Sequence, residues 1–178
     1  MGARLARLAR GEDDRTVSAE RQAKSISAET TFDTDIASPD ELLPTLRSLS
    51  EKVSSRMKRE GVVGGLVVLK LKCRNFKLRT RNAQLDGPTN LADRIYAKGR
   101  ELLRKELDGT LYRLMGIGIG DLREAGAVDE EPDLLDAGEA KRARAESAMD
   151  DIRSRFGADG LSLGLTFSAR KRTGKSSA

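Results

Sequence analysis

The feature that most constrains this chain is the way its apolar residues change period between positions 24 and 122. In residues 24–32, Ile26, Ala28, Thr30 and Phe32 alternate with Ser25, Ser27, Glu29 and Thr31, the period of a half-buried strand. The spacing then lengthens to that of a helix at Leu42, Leu46, Leu49, Val53 and Met57. Ser38-Pro39-Asp40-Glu41 precedes it as a capping box with Pro at the first helical position, and Gly61 closes it. Pro44 lacks the N–H that the second turn would use, which weakens the start of this helix. Residues 66–85 return to period two as two strands, with Val67, Leu69, Leu71 and Cys73 opposite Lys70, Lys72 and Arg74. The alternation slips at Arg74-Asn75, which reads as a bend or bulge. Asp86-Gly87-Pro88 reads as a turn. Asn90 then offers a cap for a second helix, with Leu91, Ile95, Leu102 and Leu107 inward and Asp108-Gly109 as its end. Residues 111–119 read as a last strand. This order predicts an α+β fold of the split β-α-β-β-α-β kind: a four-stranded sheet with two helices on one face, the other face left open.

The flanks differ in character. Residues 5–9 look like the last turns of a helix, with Leu5 and Leu8 on one face and Gly11 as a stop. A helix this short does not fold alone, so it reads as the end of something larger. Residues 129–136 are acidic around Leu134-Leu135. Residues 141–156 form a third amphipathic helix candidate, with Ala145, Met149, Ile152 and Phe156 on one face. The expected organisation is a helix end at 1–10, a tether at 11–23, the α+β domain at 24–122, an acidic linker at 123–140, a tail helix at 141–157 and a disordered basic tail at 158–178.

Composition excludes several chemistries. The 178 residues include no His, which removes the commonest general base, the usual zinc ligands and any Ser–His or Cys–His pair. Cys73 is the single cysteine, so no internal disulfide forms and a reducing compartment is expected. No apolar run approaches the roughly 20 residues that span a bilayer. The expectation is a cytoplasmic, monomeric chain without membrane contact. A formal net charge of +5 suits a polyanion partner without proving one.

The distribution of that charge is more telling than its sum. Lys70, Lys72, Arg74, Lys77, Arg79 and Arg81 lie in two adjacent strands with no acid among them. Like charges side by side on a sheet repel unless an anion offsets them, and a nucleic acid backbone would do so. The bland alternative is a solvated strand face. Aromatics are not interleaved, which favours tracking of a duplex backbone over stacking on single-stranded bases. Gly116-Ile117-Gly118-Ile119-Gly120 lacks the spacing of a phosphate-binding loop. It reads as a strand that shows almost no side chains on one face, where a backbone could come close. Leu134-Leu135 in its acidic stretch is either a docking peptide or a plain linker pair. Asp33 and Asp35 are read as helix N-terminal charge rather than a metal site, and no catalytic constellation is found.

Several stretches together resemble the C-terminal part of bacterial Y-family translesion DNA polymerases, the polymerase IV group. Lys24-Ser25-Ile26-Ser27-Ala28-Glu29-Thr30-Thr31-Phe32 is similar to the strand that opens that family's little finger. Residues 9–17 resemble its passage from thumb to tether. Leu69-Lys70-Leu71-Lys72 and residues 76–81 resemble its paired basic strands, and residues 111–122 its "RLLGVGVSNL" strand, with Gly120-Asp121 for Ser-Asn. Ile152-Arg153-Ser154-Arg155-Phe156-Gly157 resembles its tail helix.

The resemblance implies a non-catalytic domain that lies against primer–template duplex. The DNA contacts expected are Lys24, Ser25, Ser27, Lys70, Lys72, Arg74, Lys77, Arg79, Thr80 and Arg81. The family's two magnesium ions belong to a palm that would precede position 1, so no cofactor and no polymerisation are expected of this chain. The family's sliding-clamp peptide has its place at Pro132-Asp133-Leu134-Leu135, which lacks Gln and has Leu for Phe. Gly160-Leu161-Ser162-Leu163-Gly164-Leu165 is a second candidate. The alternative readings are a module whose main partner is the clamp and, from the residues alone, a small RNA-binding α+β protein.

Overall fold

The computed structural model describes residues 6, 7, 9–11, 24–126, 137–157, 160, 161 and 163–165, with backbone only at 137–140. Four strands form the sheet: β1 (Ser25–Ile36), β2 (Val62–Cys73), β3 (Leu78–Thr89) and β4 (Tyr112–Glu124). Three helices are α1 (Pro39–Arg59), α2 (Ala92–Arg104) and α3 (Ala137–Phe156). The strand order is β1-β4-β2-β3, every neighbour antiparallel. β4 therefore slots between β1 and β2, which is the split arrangement the sequence predicts.

Alternation decides which side of the sheet is covered. Ile26 and Ala28 of β1, Met115, Ile117 and Ile119 of β4, and Val67, Leu69 and Leu71 of β2 all face the helices and are buried. Leu42, Leu46, Leu49, Val53 and Met57 of α1 meet them at 0–1% exposure, with Ile95, Leu102 and Leu103 of α2 completing the core. Each fully buried aliphatic side chain contributes about 1.5–3 kcal/mol. Tyr112 is the aromatic of this core, and its hydroxyl donates to the Glu106 carbonyl at 2.7 Å. Burial pushes that phenol above its ordinary pKa.

Ser38 caps α1 by accepting from the Asp40 amide at 3.2 Å, with Pro39 at the first helical position. Pro44 sits inside this helix without ending it. Its side chain is buried, so packing outweighs the one backbone bond it forgoes.

The structure corrects several local readings. Of the bend or bulge read at Arg74-Asn75 the structure has the bend: these residues are the tip of the β2–β3 hairpin, closed by Cys73 N donating to Lys77 O at 2.9 Å. Asp86-Gly87-Pro88 is not a separate turn. It belongs to β3 and is absorbed where the register slips between Gly64 and Leu66. Asp33 and Asp35 lie inside β1, not in a loop before a helix. Asn90 does not cap α2: Leu91 holds the N-cap position without a side-chain bond, while Asn90 reaches the Val62 carbonyl at 3.5 Å.

The tail helix also differs. It starts at Ala137, and of its expected apolar face Met149 meets the docked side while Ala145, Ile152 and Phe156 are exposed, the last two at 36% and 75%. Near the N-terminus, residues 6, 7 and 9 are helical and Gly11 follows with φ 77°. Leu5, Leu8, the tether at 12–23, the acidic stretch at 129–136 and the basic tail from 166 lie outside the described residues. Among the described residues no helix is long and apolar enough to cross a membrane.

Candidate nucleic-acid interface

The face of the sheet away from the helices is organised in rows set by the strand registers. One row reads Ser25, Gly120, Leu66, Gln84; the next Ser27, Gly118, Val68, Asn82. Then come Glu29, Gly116, Lys70, Thr80, and finally Thr31, Leu114, Lys72, Leu78. Three of the four rows thus carry glycine in β4, so the strand has no side chain there and forms the floor of a trough. A Cβ on Gly116 would come within 2.9 Å of the Glu29 Cβ, and one on Gly118 within 2.9 Å of the Ser27 Cβ. Glycine is required where β1 and β4 approach this closely.

The basic ribbon divides between the two sides of the sheet. Lys70 and Lys72 line the trough with Ser25, Ser27 and Thr80. Lys70 spans the floor to Glu29, Nζ to Oε2 at 2.8 Å. Lys72 lies 5.1 Å from the Phe76 ring centroid, and the Arg113 guanidinium stacks on the same ring at 4.2 Å. Arg74 and Lys77 sit at the hairpin tip, with Arg74 3.7 Å from Asp35, and Lys24 is exposed just ahead of β1.

Arg79 and Arg81 project to the helix side instead. Arg79 Nη1 donates to Glu106 at 3.1 Å, Asp108 at 3.2 Å and the Tyr112 hydroxyl at 3.2 Å, while Arg81 Nε donates to Glu106 at 2.7 Å. Glu106 is almost fully buried, and these two arginines supply the charge that makes its burial tolerable. The Thr110 hydroxyl and amide, with Arg79, hold Asp108 down at a pKa of about 2.

Residues 23–132 match the family described as the impB/mucB/samB family C-terminal domain. The chain belongs to the impB/mucB/samB family. It is 59% identical over 167 residues to a protein named DNA polymerase IV 1 from Mesorhizobium japonicum, covering 94% of this chain and 38% of that protein. It is 54% identical over 168 residues to a DNA polymerase IV of Brucella melitensis biotype 1, again 94% of this chain and 38% of the relative. The chain therefore spans under half the length of these relatives. Among solved structures, a complex of the beta-clamp processivity factor and the little finger domain of PolIV matches 54% of this chain and 86% of that one, at 20% identity and a TM-score of 0.45. The family match bears out the resemblance read from the motifs.

For this impB/mucB/samB domain, sequence reading found the glycine strand and both trough lysines. It missed Glu29 as the partner of Lys70, because the two are joined only through the register across β4. It also missed Phe76 and Arg113. Phe76 is 62% exposed with φ 67°, an exposed aromatic that a hairpin-tip reading of residues 74–77 would have singled out. Arg113 is bulged out where the β2–β4 register shifts, which alternation alone does not reveal. Of the clamp candidates, Pro132, Asp133, Leu134 and Leu135 lie outside the described residues. Leu165 of the second is 44% exposed. Among the described residues no group of three His, Cys, Asp or Glu could hold a metal ion.

Proposed function

We propose that this chain grips duplex DNA through the open face of its sheet, as the non-catalytic little finger of a translesion polymerase working in the cytoplasm. The observation that carries the reading is the glycine-floored trough of β4, flanked by Lys70 and Lys72. A phosphate backbone can approach the floor because no side chain stands there. The lysines then neutralise phosphates without reading bases. Ser25, Ser27 and Thr80 offer hydroxyls along the walls, and Lys24, Arg74 and Lys77 add charge at the ends. Arg79 and Arg81 act one step back, by fixing β3 against Glu106. The polymerisation that the relatives' names state is assigned on this reading to the part of those proteins that this chain does not cover.

The test is fluorescence anisotropy of labelled primer–template duplex over a range of salt. Steep, sequence-independent salt dependence is expected. Lys70→Ala with Lys72→Ala should weaken binding for every sequence and reduce the salt slope by about 2, one per lost phosphate contact. Unchanged affinity in that variant would show that the open face is not the contact surface. A preference for RNA hairpins over the duplex would favour an RNA-binding role.

Docking on a sliding clamp is the second reading, and the exposure of Leu165 favours residues 160–165 as its peptide. Deleting 161–165 should abolish clamp capture and leave DNA binding intact. If capture survives and is lost on deleting 130–136, the acidic segment is the peptide.

A further inference from the structure

Helix α2 begins without a cap of its own. Leu91 at the N-cap position makes no side-chain bond, so the first amides of the helix need acceptors from elsewhere. Glu146 of α3 supplies them. Its Oε2 accepts from Ala92 N at 3.0 Å and its Oε1 from Asp93 N at 2.9 Å. The same carboxylate meets Lys58 Nζ of α1 at 3.1 Å, and Asp150, one turn on, meets that ammonium at 2.7 Å. Near the end of α3, Arg153 donates Nη2 to Glu51 of α1 at 2.8 Å and Nε to the Leu161 carbonyl at 3.1 Å.

The seam is mainly polar. Met149 lines it beside Arg47, Glu51, Lys58, Glu146, Asp150 and Arg153. Among the described side chains of α3 none belongs to the hydrophobic core cluster, and Ile152 and Phe156 are exposed. A helix seated by apolar area keeps its place in salt. One seated by charge loosens as salt screens its pairs, which here are partly buried, at 8–33% side-chain exposure, and so respond less steeply than surface pairs.

We propose that α3 is an ionic strap. Docked, it completes the first turn of α2 through Glu146 and, through Arg153, holds the chain at Leu161 against α1. Undocking uncaps α2 and frees the 160–165 segment while the sheet and its core stay folded. The strap rests on contacts of the helix layer, on the side opposite the trough, so it stands whether or not the sheet binds DNA.

Site-resolved amide hydrogen exchange on the full chain tests this, at about 50 mM and about 1 M salt. High salt should speed exchange across α3 and at Ala92 and Asp93, leaving the β2 and β4 core amides unchanged. Glu146→Gln at low salt should speed the same amides about tenfold, the factor that goes with losing one charge-assisted contact. Asp151→Asn, which removes the same charge from an exposed position of α3, should leave them as they are. The core amides serve as the internal standard, so general destabilisation by Glu146→Gln would be seen as such and the salt series on the unaltered chain would still decide. The proposal is overturned if α3 exchange is indifferent to salt, or if Ala92 and Asp93 do not respond to Glu146→Gln while the core is intact.

Discussion

At the scale of single residues, the open face holds a conflict that Glu29 moderates. Lys70 and Lys72 lie on the same side of β2, two residues apart, and Glu29 draws one of them across the glycine floor at 2.8 Å. The pair is partly exposed, so it adds little stability, but it occupies the ammonium that a phosphate would use. Glu29→Gln should therefore strengthen duplex binding about two- to fivefold at low salt, with the gain fading as salt rises. Anisotropy titrations check this, and weaker binding would mean that Glu29 orients Lys70 rather than competing for it. Asp108 gives the second residue-scale prediction. Its carboxyl titrates at about 2 in the fold against an ordinary 3.8. Its stabilising share is thus complete above pH 3.8 and is lost as pH falls towards 2. Asp108→Asn should lose less stability than the unaltered chain across that window, measured as urea midpoints against pH. The residues that sequence reading placed correctly on the trough, Lys70, Lys72 and the glycines, are those whose face is fixed by simple alternation. Arg79 and Arg81 share the basic character but have the opposite parity, and their acids come from the end of α2 and beyond.

At the scale of elements, period was the legible signal wherever burial follows hydrophobicity. The α1 stripe from Leu42 to Met57 was read directly, and its five residues are among the most buried of the described residues. Leu46→Ala should cost about 2–5 kcal/mol, because helix and sheet surround the side chain and cannot collapse into the gap. Urea unfolding with an unchanged m-value would show this, whereas a loss below 1 kcal/mol would mean the α1–sheet packing is looser than its burial implies. The hairpin tip was less legible, since a slipped alternation is produced equally by a bulge and by a turn. Asp86-Gly87-Pro88 has turn composition, yet the edge strand β3 has room to absorb it as a register slip, where a central strand would not. The helix read at 141–156 is present, but its docked face was misread for a different reason. Hydrophobic spacing selects Ala145, Met149, Ile152 and Phe156, but the seat for α3 is polar, made of Lys58, Glu51 and two backbone amides contributed by α1 and α2. Nothing local to residues 137–156 signals partners that distant in the chain.

At the scale of the whole molecule, these two kinds of contact separate the chain into a body and a strap with different dependence on solution conditions. The body closes on itself: among the described residues every member of the hydrophobic cluster lies between Ile26 and Ile119, within the segment that matches the family. Residues 137–165 add the Glu146 cap and the Lys58 and Arg153 ion pairs. Ending the chain after Gly126 should therefore preserve a single cooperative unfolding transition. It should lower stability by only about 1–2 kcal/mol, the scale of one helix cap plus partly exposed pairs. It should also leave Lys58, Glu51 and the first amides of α2 in water, which can satisfy them. Duplex affinity should stay within about twofold of the full chain at moderate salt, because the trough faces away from α3 and keeps Lys70, Lys72 and the glycine floor. If the chain docks on a clamp as the second reading has it, capture should vanish altogether, since both candidate peptides would be gone. Denaturant melts and paired DNA and clamp titrations on the two chains separate the alternatives. Loss of cooperative folding would make α3 part of the body, and a large loss of DNA affinity would place a second DNA contact beyond residue 126.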